Sequence, residues 1–309
     1  FTLLVPRGWI LEGGAFRILD EMFGGALNMT ECKFDLAVKS DCQGSIMIRW
    51  MPEMLCIDQG QAFGNPEGAI FNNALVRRKR DPLRFLVEVA IPYAHPGARQ
   101  VTVIDSKYLP NLASKYQAAV SREMQMFTNM AYYAGMVTVT YQENGRWYME
   151  RLVTVIEDFG QGGGGLWKNR ESILIRAPKG DLPAMEGILS VIQNSGKWNM
   201  KWIAGEIQGQ MKRQKTVAMT QQDIQRMDRE IAEGKRKTQA AIQHDMYLTL
   251  TGQNDYKNPF TGEVERDTAD WKHRWINPGG DVIYSDDPNY DPNADAALKK
   301  TGFRRSPGR

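Results

Sequence analysis

The stretch MVTVTYQENGRWYMERLVTVIE, residues 136–157, decides the fold class of this chain. Apolar and polar side chains alternate over residues 136–141 and again over residues 146–157, and the two runs flank Asn144 and Gly145. Alternation with a period of two is typical of β-strands, and an Asn-Gly pair permits positive φ at both central positions of a two-residue turn. The stretch therefore predicts a tight antiparallel β-hairpin.

Shorter stretches with the same patterning predict the rest of a sheet. KFDLAVK at residues 33–39 and SIMIRWM at residues 45–51 are joined by the turn-forming cluster SDCQG, which predicts a second hairpin. Further strands are expected over residues 1–9, 101–105 and 172–176. Residues 57–75 are rich in Gly and Asn, and we expect a loop there.

Three segments within the first 200 residues predict helices. Asp81 can cap a helix over residues 82–91, which starts with a proline at the first helical position. Residues 112–133 contain neither Gly nor Pro and are rich in helix-forming side chains. A third helix is expected over residues 181–193. Residues 1–200 are therefore predicted to form an α+β domain, an antiparallel sheet flanked by helices.

The composition changes after residue 200. Residues 204–246 contain no Pro and many Gln, Lys, Arg, Glu and Asp residues. Apolar side chains recur in this stretch at seven-residue spacing: Val217, Ile224 and Ile231, with Met227 between them. A narrow apolar seam on an otherwise polar sequence predicts a long polar helical extension over residues 201–252.

The last segment, residues 253–309, is predicted to be a short β-hairpin module with an extended basic tail. Short strands are expected over residues 263–266, 272–276 and 281–284. Residues 285–309 are rich in Asp, Asn and Pro and then basic, so we expect them to cover a partner or to stay mobile.

Charge and hydropathy argue against two classes of protein. Lys and Arg number 39 against 36 Asp and Glu, and this near balance argues against a dedicated nucleic-acid binder. No run of about 18 apolar residues is present, so no transmembrane helix is predicted. The basic runs at residues 77–80 and 299–309 are expected to be solvated, with contact to an acidic protein or an anionic membrane surface as the alternative.

Cysteine usage and the first residue bear on the compartment. The three cysteines, Cys32, Cys42 and Cys56, form no C-x-x-C pair, so structural zinc is not expected. Cys32 and Cys56 could flank one hairpin base and form a disulfide, whereas buried free thiols are the default. The chain begins with Phe1 rather than Met. We interpret this as removal of a signal peptide from a periplasmic or secreted protein, with a sequence that starts inside the protein as the alternative.

Several stretches resemble, in their order along the chain, one family. They are FTLLVPRGW at residues 1–9, KFDLAVKSDCQGSIMIRWMP at 33–52, VTVTYQENGRWYMERLVTVIE at 137–157, and SILIRAPKG at 172–180 followed by DLPAMEGILSVIQNS. This order resembles the PsbP/Mog-type fold, which is known from extrinsic lumenal subunits of photosynthetic complexes. The tail at residues 256–293 resembles a module of uncharacterised bacterial secreted proteins. The resemblance implies an extracytoplasmic accessory protein with a PsbP-like sandwich, and it brings no catalytic residues.

Histidines give little support to an enzyme. His95, His244 and His273 are far apart in sequence, and no G-x-S-x-G motif accompanies them. His95 precedes Pro-Gly in a turn, so we expect it to be exposed to solvent. The alternative is a hydrolase with a site in a sheet cleft around residues 57–75 and 93–97, in which His95 would meet an acid or a nucleophile.

Two further motifs resemble ligand sites but favour simpler interpretations. The glycine-rich stretch at residues 159–165 lacks the Lys-Ser/Thr of a P-loop and is expected to be a loop between two strands, so no cofactor is predicted. Asp287, Asn289 and Asp291 place oxygen atoms at alternating positions, as calcium loops do. Leu298 stands where such a loop has Glu, so turns are favoured over a Ca²⁺ site.

Aromatic residues around the helical extension predict an interaction function. Aromatic side chains with polar handles are favoured interface anchors, although they could instead pack the tail onto the first domain. The residues expected to contact a partner are Trp198, Trp202, Ile224, Met227, Ile231, Trp271, Trp275, Tyr284 and Tyr290. We therefore expect a non-catalytic accessory or scaffold subunit that docks onto a larger assembly, such as a membrane complex. The alternatives are the hydrolase and a carrier of a small ligand or Ca²⁺.

Overall fold

The computed structural model describes residues 1–19, 21–58, 64–119, 130–160, 163–197, 199–213, 242–295 and 297–308. The chain forms two compact units, Phe1–Tyr247 and Leu248–Arg309. The first unit contains a sheet of ten strands, and smaller sheets of two and three strands belong to the second.

The ten-stranded sheet is mostly antiparallel and confirms the predicted α+β class. In chain order its strands are β1 (Ile10–Phe16), β2 (Lys33–Lys39), β3 (Met47–Trp50), β4 (Leu55–Ile57), β5 (Ile70–Phe71), β6 (Ala74–Val76), β7 (Arg99–Tyr108), β8 (Ala131–Glu143), β9 (Arg146–Asp158) and β10 (Leu166–Pro178). The strand order is β1-β2-β3-β10-β9-β8-β7, and β4-β6-β5 continue from β10. Strands β4 and β6 form the parallel pair.

Strand β10 lies at the centre of this sheet. Strand β9 pairs along one of its edges. The other edge is shared, because residues 166–168 pair with β4 and residues 173–176 pair with β3. A bulge between Asn169 and Glu171 separates the two halves. A bulge adds one residue and shifts the alternation of side chains, so Trp167 and Leu174 both face the same core.

The hairpin predicted from residues 136–157 is confirmed and is longer than expected. Strands β8 and β9 have 13 residues each and pair in register down to Glu143 and Arg146. Asn144 and Gly145 between them have φ values of 49° and 76°, as a two-residue turn requires. The turn chemistry therefore fixes the register of the two longest neighbours in the sheet.

Helices cover both faces of the sheet. In chain order they are α1 (Ala26–Met29), α2 (Pro82–Phe85, a π-helical turn at Leu86–Ala90, and Ile91–Ala94), α3 (Pro110–Ala119), α4 (Leu182–Asn194), α5 (Met200–Arg213) and α6 (residues 242–250). The predicted cap of α2 is confirmed, because Asp81 Oδ1 accepts hydrogen bonds from the backbone N–H groups of Leu83 and Arg84 at 3.0 and 3.2 Å.

Helix α2 covers the face of the sheet on which the main core lies. This face, called the α2 face here, packs Phe85, Leu86 and Ile91 of the helix against apolar residues of the strands, among them Leu152 and Leu174. Helices α3 and α4 lie on the opposite face, where α3 contacts β8 and α4 contacts β3 and β10. Both faces of the central strands are therefore buried.

Three predictions for the first unit are wrong at their boundaries. Residues 1–9 form no strand, since Pro6 and Gly8 interrupt the pattern, and Thr2 makes only an isolated bridge to Lys197. Residues 131–133 belong to β8 rather than to a helix, because pairing with β9 overrides their helix propensity. Residues 57–75 are not only a loop, since they contain β5 and part of β6 around a turn at Asn72 and Asn73.

The segment predicted as a long polar helix is described only in part. Residues 200–213 and 242–250 are helical, in agreement with the prediction for this segment. Residues 214–241 lie outside the described residues. The apolar seam predicted at Ile224, Met227 and Ile231 therefore lies outside them as well.

The second unit contains the strands expected near the C-terminus. Strand β11 (Gln253–Lys257) pairs with β12 (Val264–Thr268), and β13 (His273–Ile276) lies between β14 (Val282–Ser285) and β15 (Arg304–Ser306). Strand β15 corrects the prediction of a loose tail over residues 285–309. The Asn293 side chain accepts from the backbone N–H of Phe303 and donates to its carbonyl at 2.8 and 2.9 Å, which anchors the buried Phe303 beside this sheet.

Candidate functional site

A cleft of about 700 Å³ opens on the α2 face, beyond the C-terminal end of α2. Its walls come from β1, β2, β3, the β2–β3 turn and the β8–β9 turn. The charged residues that line it are Glu12, Asp35, Lys39, Arg49, Glu143 and Arg176, together with His95. We call this cleft and these residues the His95 cleft.

Strand alternation explains why these charges meet. Residues two apart in a strand share a face, so Asp35 and Lys39 of β2 lie on the same face as the core residue Ala37. On β10, Arg176 shares the face of the buried Leu174. The cleft therefore lies where charged side chains replace apolar ones on the core face of the sheet.

His95 is buried at the floor of the cleft, with 4% of its surface exposed, so the prediction of an exposed histidine is wrong. It directly follows α2, and its backbone N–H donates to the carbonyl of Ile91 at 2.8 Å. Its Nε2 lies 3.0 Å from Oε1 of Glu150, which is fully buried. The imidazole also stacks on the ring of Tyr141 at a centroid distance of 5.1 Å. Helix termination therefore places the imidazole against a carboxylate on β9.

Arg176 is fixed by the β2–β3 turn. Its Nε donates to the carbonyl of Gly44 at 2.8 Å, and one terminal nitrogen, Nη2, donates to the carbonyls of Gln43 and Gly44 at 2.7 and 2.6 Å. The guanidinium lies 4.4 Å from the ring centroid of Tyr148. These contacts leave the other terminal nitrogen, Nη1, to face the cleft.

Nη1 of Arg176 lies close to three polar atoms at the floor of the cleft. It lies 2.6 Å from Oε2 of Glu143, 3.1 Å from the hydroxyl oxygen of Tyr141 and 3.1 Å from Nδ1 of His95. A guanidinium Nη carries two hydrogens. The Glu143 carboxylate and the Tyr141 hydroxyl can take these two hydrogens, whereas Nδ1 of His95 accepts only when it carries no hydrogen of its own. The partners of Nη1 therefore depend on the protonation of His95.

The protonation of His95 depends on the carboxylates around it. Burial alone would lower the pKa of His95, but the charge of Glu150 and hydrogen bonds to Glu143 and Glu150 outweigh burial and raise the pKa. Hydrogen bonding to His95, and then to Arg176, lowers the pKa of Glu143 to about 2. The other oxygen of Glu150, Oε2, is buried without a hydrogen-bond partner among the described residues. The site therefore favours a charged imidazole next to the ionised carboxylate of Glu143.

A second pair of charges lines the other wall of the cleft. Arg49 binds Asp35 through two parallel hydrogen bonds of 2.9 and 2.8 Å, and the Tyr93 hydroxyl donates to Asp35 at 2.7 Å. Lys39 pairs with Glu12 at 2.6 Å. Each cation of the cleft thus has a carboxylate partner, so the lining is strongly polar but balanced in charge.

The arrangement supports binding and proton exchange better than nucleophilic catalysis. Among the residues that the structure describes, no Ser, Thr or Cys side chain is hydrogen-bonded to either nitrogen of His95. Cys42 lines the cleft but is not part of this network. The hydrolase hypothesis correctly expects His95 to meet an acid in a sheet cleft, although the described part of residues 57–75 does not line that cleft.

A second buried network lies on the opposite face of the sheet. Lys168 of β10 and Glu157 of β9 are cross-strand neighbours, and their charged atoms lie 3.2 Å apart. The Tyr132 hydroxyl donates to Glu157, and the Tyr116 hydroxyl of α3 donates to Glu171. We call these five residues the opposite-face network.

The residues predicted to contact a partner divide into three groups. Trp202 on α5 and Trp271 before β13 are each 45% exposed. Three others contact groups of the second unit: Trp275 lies near the Arg305 guanidinium at 5.9 Å, the Tyr284 hydroxyl donates to Asp267 at 2.6 Å, and the Tyr290 hydroxyl donates to Asp295 at 3.1 Å. Trp198, Ile224, Met227 and Ile231 lie outside the described residues.

The calcium candidates and the cysteines have ordinary environments. Asp287 Oδ1 accepts from the backbone N–H of Asn289 at 2.8 Å, and Asp291 Oδ1 accepts from that of Asn293 at 2.9 Å, so both carboxylates close Asx turns. In the described part of the chain, no three His, Cys, Asp or Glu residues are placed to hold a metal ion. Cys32, Cys42 and Cys56 form no disulfide with one another, and burial raises the pKa of Cys56 to about 12.

Two comparisons with known proteins find no match. No protein-family model matches it, and no curated protein matches it significantly. The PsbP/Mog resemblance stays a prediction. No helix within the described ranges is both long enough and apolar enough to span a membrane.

Proposed function

We propose that this protein is a binding protein and that the His95 cleft receives a small polar ligand. The observation that carries the proposal is the convergence of charged side chains from β2, β3 and β10 on the buried His95. The volume of the cleft, about 700 Å³, lies within the range of small-molecule sites, which measure about 300–1,000 Å³.

Stability alone does not account for this cleft. Replacing buried ion pairs by apolar side chains of similar volume is often neutral or stabilising. The sheet already has an apolar core on this face, around Leu152 and Leu174. The positive charges of Arg176 and Arg49 at the margin of that core are therefore better explained by recognition of a polar molecule than by packing.

A ligand screen tests this function. Thermal unfolding of the full chain is measured with a library of small polar compounds, and a true ligand at about 100 times its Kd should stabilise the protein by about 2.7 kcal/mol. The stabilisation should fall in Arg49→Gln, in the cleft wall, and persist in the matched control Arg99→Gln, on the exposed strand β7. Equal stabilisation of both variants, or none of the wild type, would contradict the proposal.

A second candidate function is the accessory subunit expected from the sequence. All ten residues of β7 are exposed, and within the described residues β7 pairs only with β8, so one of its edges carries unpaired backbone groups. Exposed Trp202 and Trp271 add two aromatic anchors. We propose on these grounds that the protein docks onto a larger assembly, in the periplasm or outside the cell, at the periphery of a membrane complex.

Site-specific crosslinking tests the second function. A photoreactive residue at Val103 of β7, at Trp202 or at Trp271 should crosslink to one partner protein in cells of the source organism. The same group at Asn111, exposed on α3, serves as the control. Equal labelling at Asn111, or recovery of the chain in the cytoplasmic fraction, would oppose this role.

A further inference from the structure

Glu143 differs from the other carboxylate that contacts His95. Glu150 comes from the middle of β9 and is fully buried. Glu143 is the last residue of β8, beside the Asn144 turn at the mouth of the cleft, and 14% of its side chain is exposed. A side chain at a strand end can rotate into solvent without moving the sheet, so Glu143 is the carboxylate that can leave the network.

The carboxylate of Glu143 bridges two groups on the cleft floor. Oε2 accepts from Nη1 of Arg176 at 2.6 Å, and Oε1 lies 3.6 Å from Nδ1 of His95. One oxygen therefore faces the guanidinium and the other faces the imidazole. A planar carboxylate whose two oxygens face two nitrogen donors is a common geometry of carboxylate binding in proteins.

The two donors are held in place independently of Glu143. The carbonyls of Gln43 and Gly44 and the ring of Tyr148 fix the Arg176 guanidinium. Glu150 and the end of α2 hold the imidazole of His95. If Glu143 rotated outward, a preformed pair of donors would remain at the floor of an open cleft, and such preorganisation reduces the entropy lost on binding.

We propose that Arg176 and His95 form a subsite for the carboxylate of a small ligand, and that Glu143 occupies this subsite as an internal stand-in until the ligand replaces it. This inference rests on the proposed binding function of the His95 cleft and adds the chemical class of the ligand. The ligand carries at least one carboxylate, which takes the place of the Glu143 carboxylate between the two donors.

Acetate tests the subsite directly. Its affinity for the full chain is measured by NMR titration of the His95 ring signals, with chloride at equal ionic strength as the reference. Removal of the internal competitor in Glu143→Ala should raise the affinity for acetate by about tenfold or more, because the subsite is then open in every molecule. Asp105→Ala, which removes a carboxylate of the exposed strand β7 outside the cleft, is the matched control and should bind acetate as the wild type does.

A second readout separates occupation of the subsite from a general charge effect. Loss of Glu143 should lower the pKa of His95, and saturating acetate should restore it in Glu143→Ala. Equal affinities for acetate in wild type, Glu143→Ala and Asp105→Ala would overturn the proposal. Phosphate that binds Glu143→Ala more tightly than acetate at equal ionic strength would overturn the carboxylate class. If neutral compounds bind the cleft while acetate gains nothing in Glu143→Ala, the binding function stands and the carboxylate subsite fails.

Discussion

The two faces of the central sheet carry buried networks built from the same cross-strand motif. On the α2 face, Arg176 of β10 is the direct cross-strand neighbour of Glu150 of β9. On the other face, Lys168 and Glu157 of the same two strands occupy the same relation. The two pairs differ in what lies above them. The first pair lies at the floor of the His95 cleft, whereas in the second pair Glu157 accepts a hydrogen bond from the hydroxyl of Tyr132.

This difference separates a network that exchanges partners from one that stays closed. In the His95 cleft, Glu143 completes the set of acceptors and can be replaced from solvent. On the opposite face, the Tyr116 hydroxyl donates to Glu171 and the Tyr132 hydroxyl donates to Glu157, so both donors belong to the protein itself. The pKa values follow the same division, because His95 and Arg176 lower the pKa of Glu143 whereas burial raises that of Glu171. The ionisable groups of the opposite face thus contact side chains of the protein, whereas those of the α2 face line an open cleft.

Breaking the cleft network should have the largest effect. Arg176→Leu removes the cation between Glu143 and Glu150 and leaves a buried carboxylate uncompensated, which costs about 3–5 kcal/mol of unfolding free energy. Urea denaturation measures the loss. Arg99→Leu, on the exposed strand β7, is the control and should change stability by about 0.5 kcal/mol or less. A loss below about 1 kcal/mol in Arg176→Leu would mean that the network is solvated rather than buried.

Breaking the opposite-face network should cost less. Tyr116→Phe removes the hydroxyl that donates to Glu171, and an unsatisfied buried acceptor costs about 1–3 kcal/mol. The loss is limited because Glu171 can take up a proton, a change that its raised pKa already favours. Tyr108→Phe removes an exposed hydroxyl and should be nearly neutral. A Tyr116→Phe loss as large as that of Arg176→Leu would remove the distinction between the two faces.

The mouth of the cleft can be perturbed through its turn. Gly145 has a φ of 76°, where a side chain is strained, so Gly145→Ala should destabilise the protein by about 1–2 kcal/mol. Gly205 lies within α5 with open space around it, so Gly205→Ala should instead stabilise by about 0.5–1 kcal/mol. Thermal unfolding of both variants measures the contrast. Stabilisation by Gly145→Ala would contradict the assigned hairpin turn.

The sheet could be predicted from sequence because its signals are local. The Asn144-Gly145 turn and the alternation around it specify a hairpin without reference to the rest of the chain. The cleft could not be predicted in the same way, since the burial of His95 depends on where α2 ends above β9. One signal was present, because Arg176 stands at a position that alternation assigns to the core. A charged residue at such a position marks either a fold boundary or a site, and only the tertiary structure distinguishes them.

Helix propensity failed where pairing partners lay far away in sequence. Residues 131–133 continue a helix-like composition but pair with residues 156–158 in β9. Backbone hydrogen bonds in a buried sheet outweigh a propensity difference of a few tenths of a kcal/mol per residue. Alternation also continues from Tyr133 through Gly135 into the predicted strand. The helix-like composition of the same residues nevertheless favoured a helix, so the start of β8 was not predicted.

The sharpest test of the comparison concerns the sign of a pH dependence. The pKa of Glu143 is lowered from 4.5 to about 2, so its contribution to stability is present above pH 4.5 and is lost as the pH falls toward 2. The pKa of Glu171 is raised from 4.5, so wild type loses stability relative to Glu171→Gln as the pH rises above 4.5.

The two differences in unfolding free energy, wild type minus Glu143→Gln and wild type minus Glu171→Gln, should therefore have opposite slopes against pH. Urea denaturation between pH 2 and pH 8 measures both, and each variant serves as the control for the other because the substitution, Glu to Gln, is identical. Slopes of the same sign would show that both carboxylates share one environment. Opposite slopes would mean that two carboxylates near the same pair of strands are held in different charge states, as a face that binds a ligand and a face that only packs require.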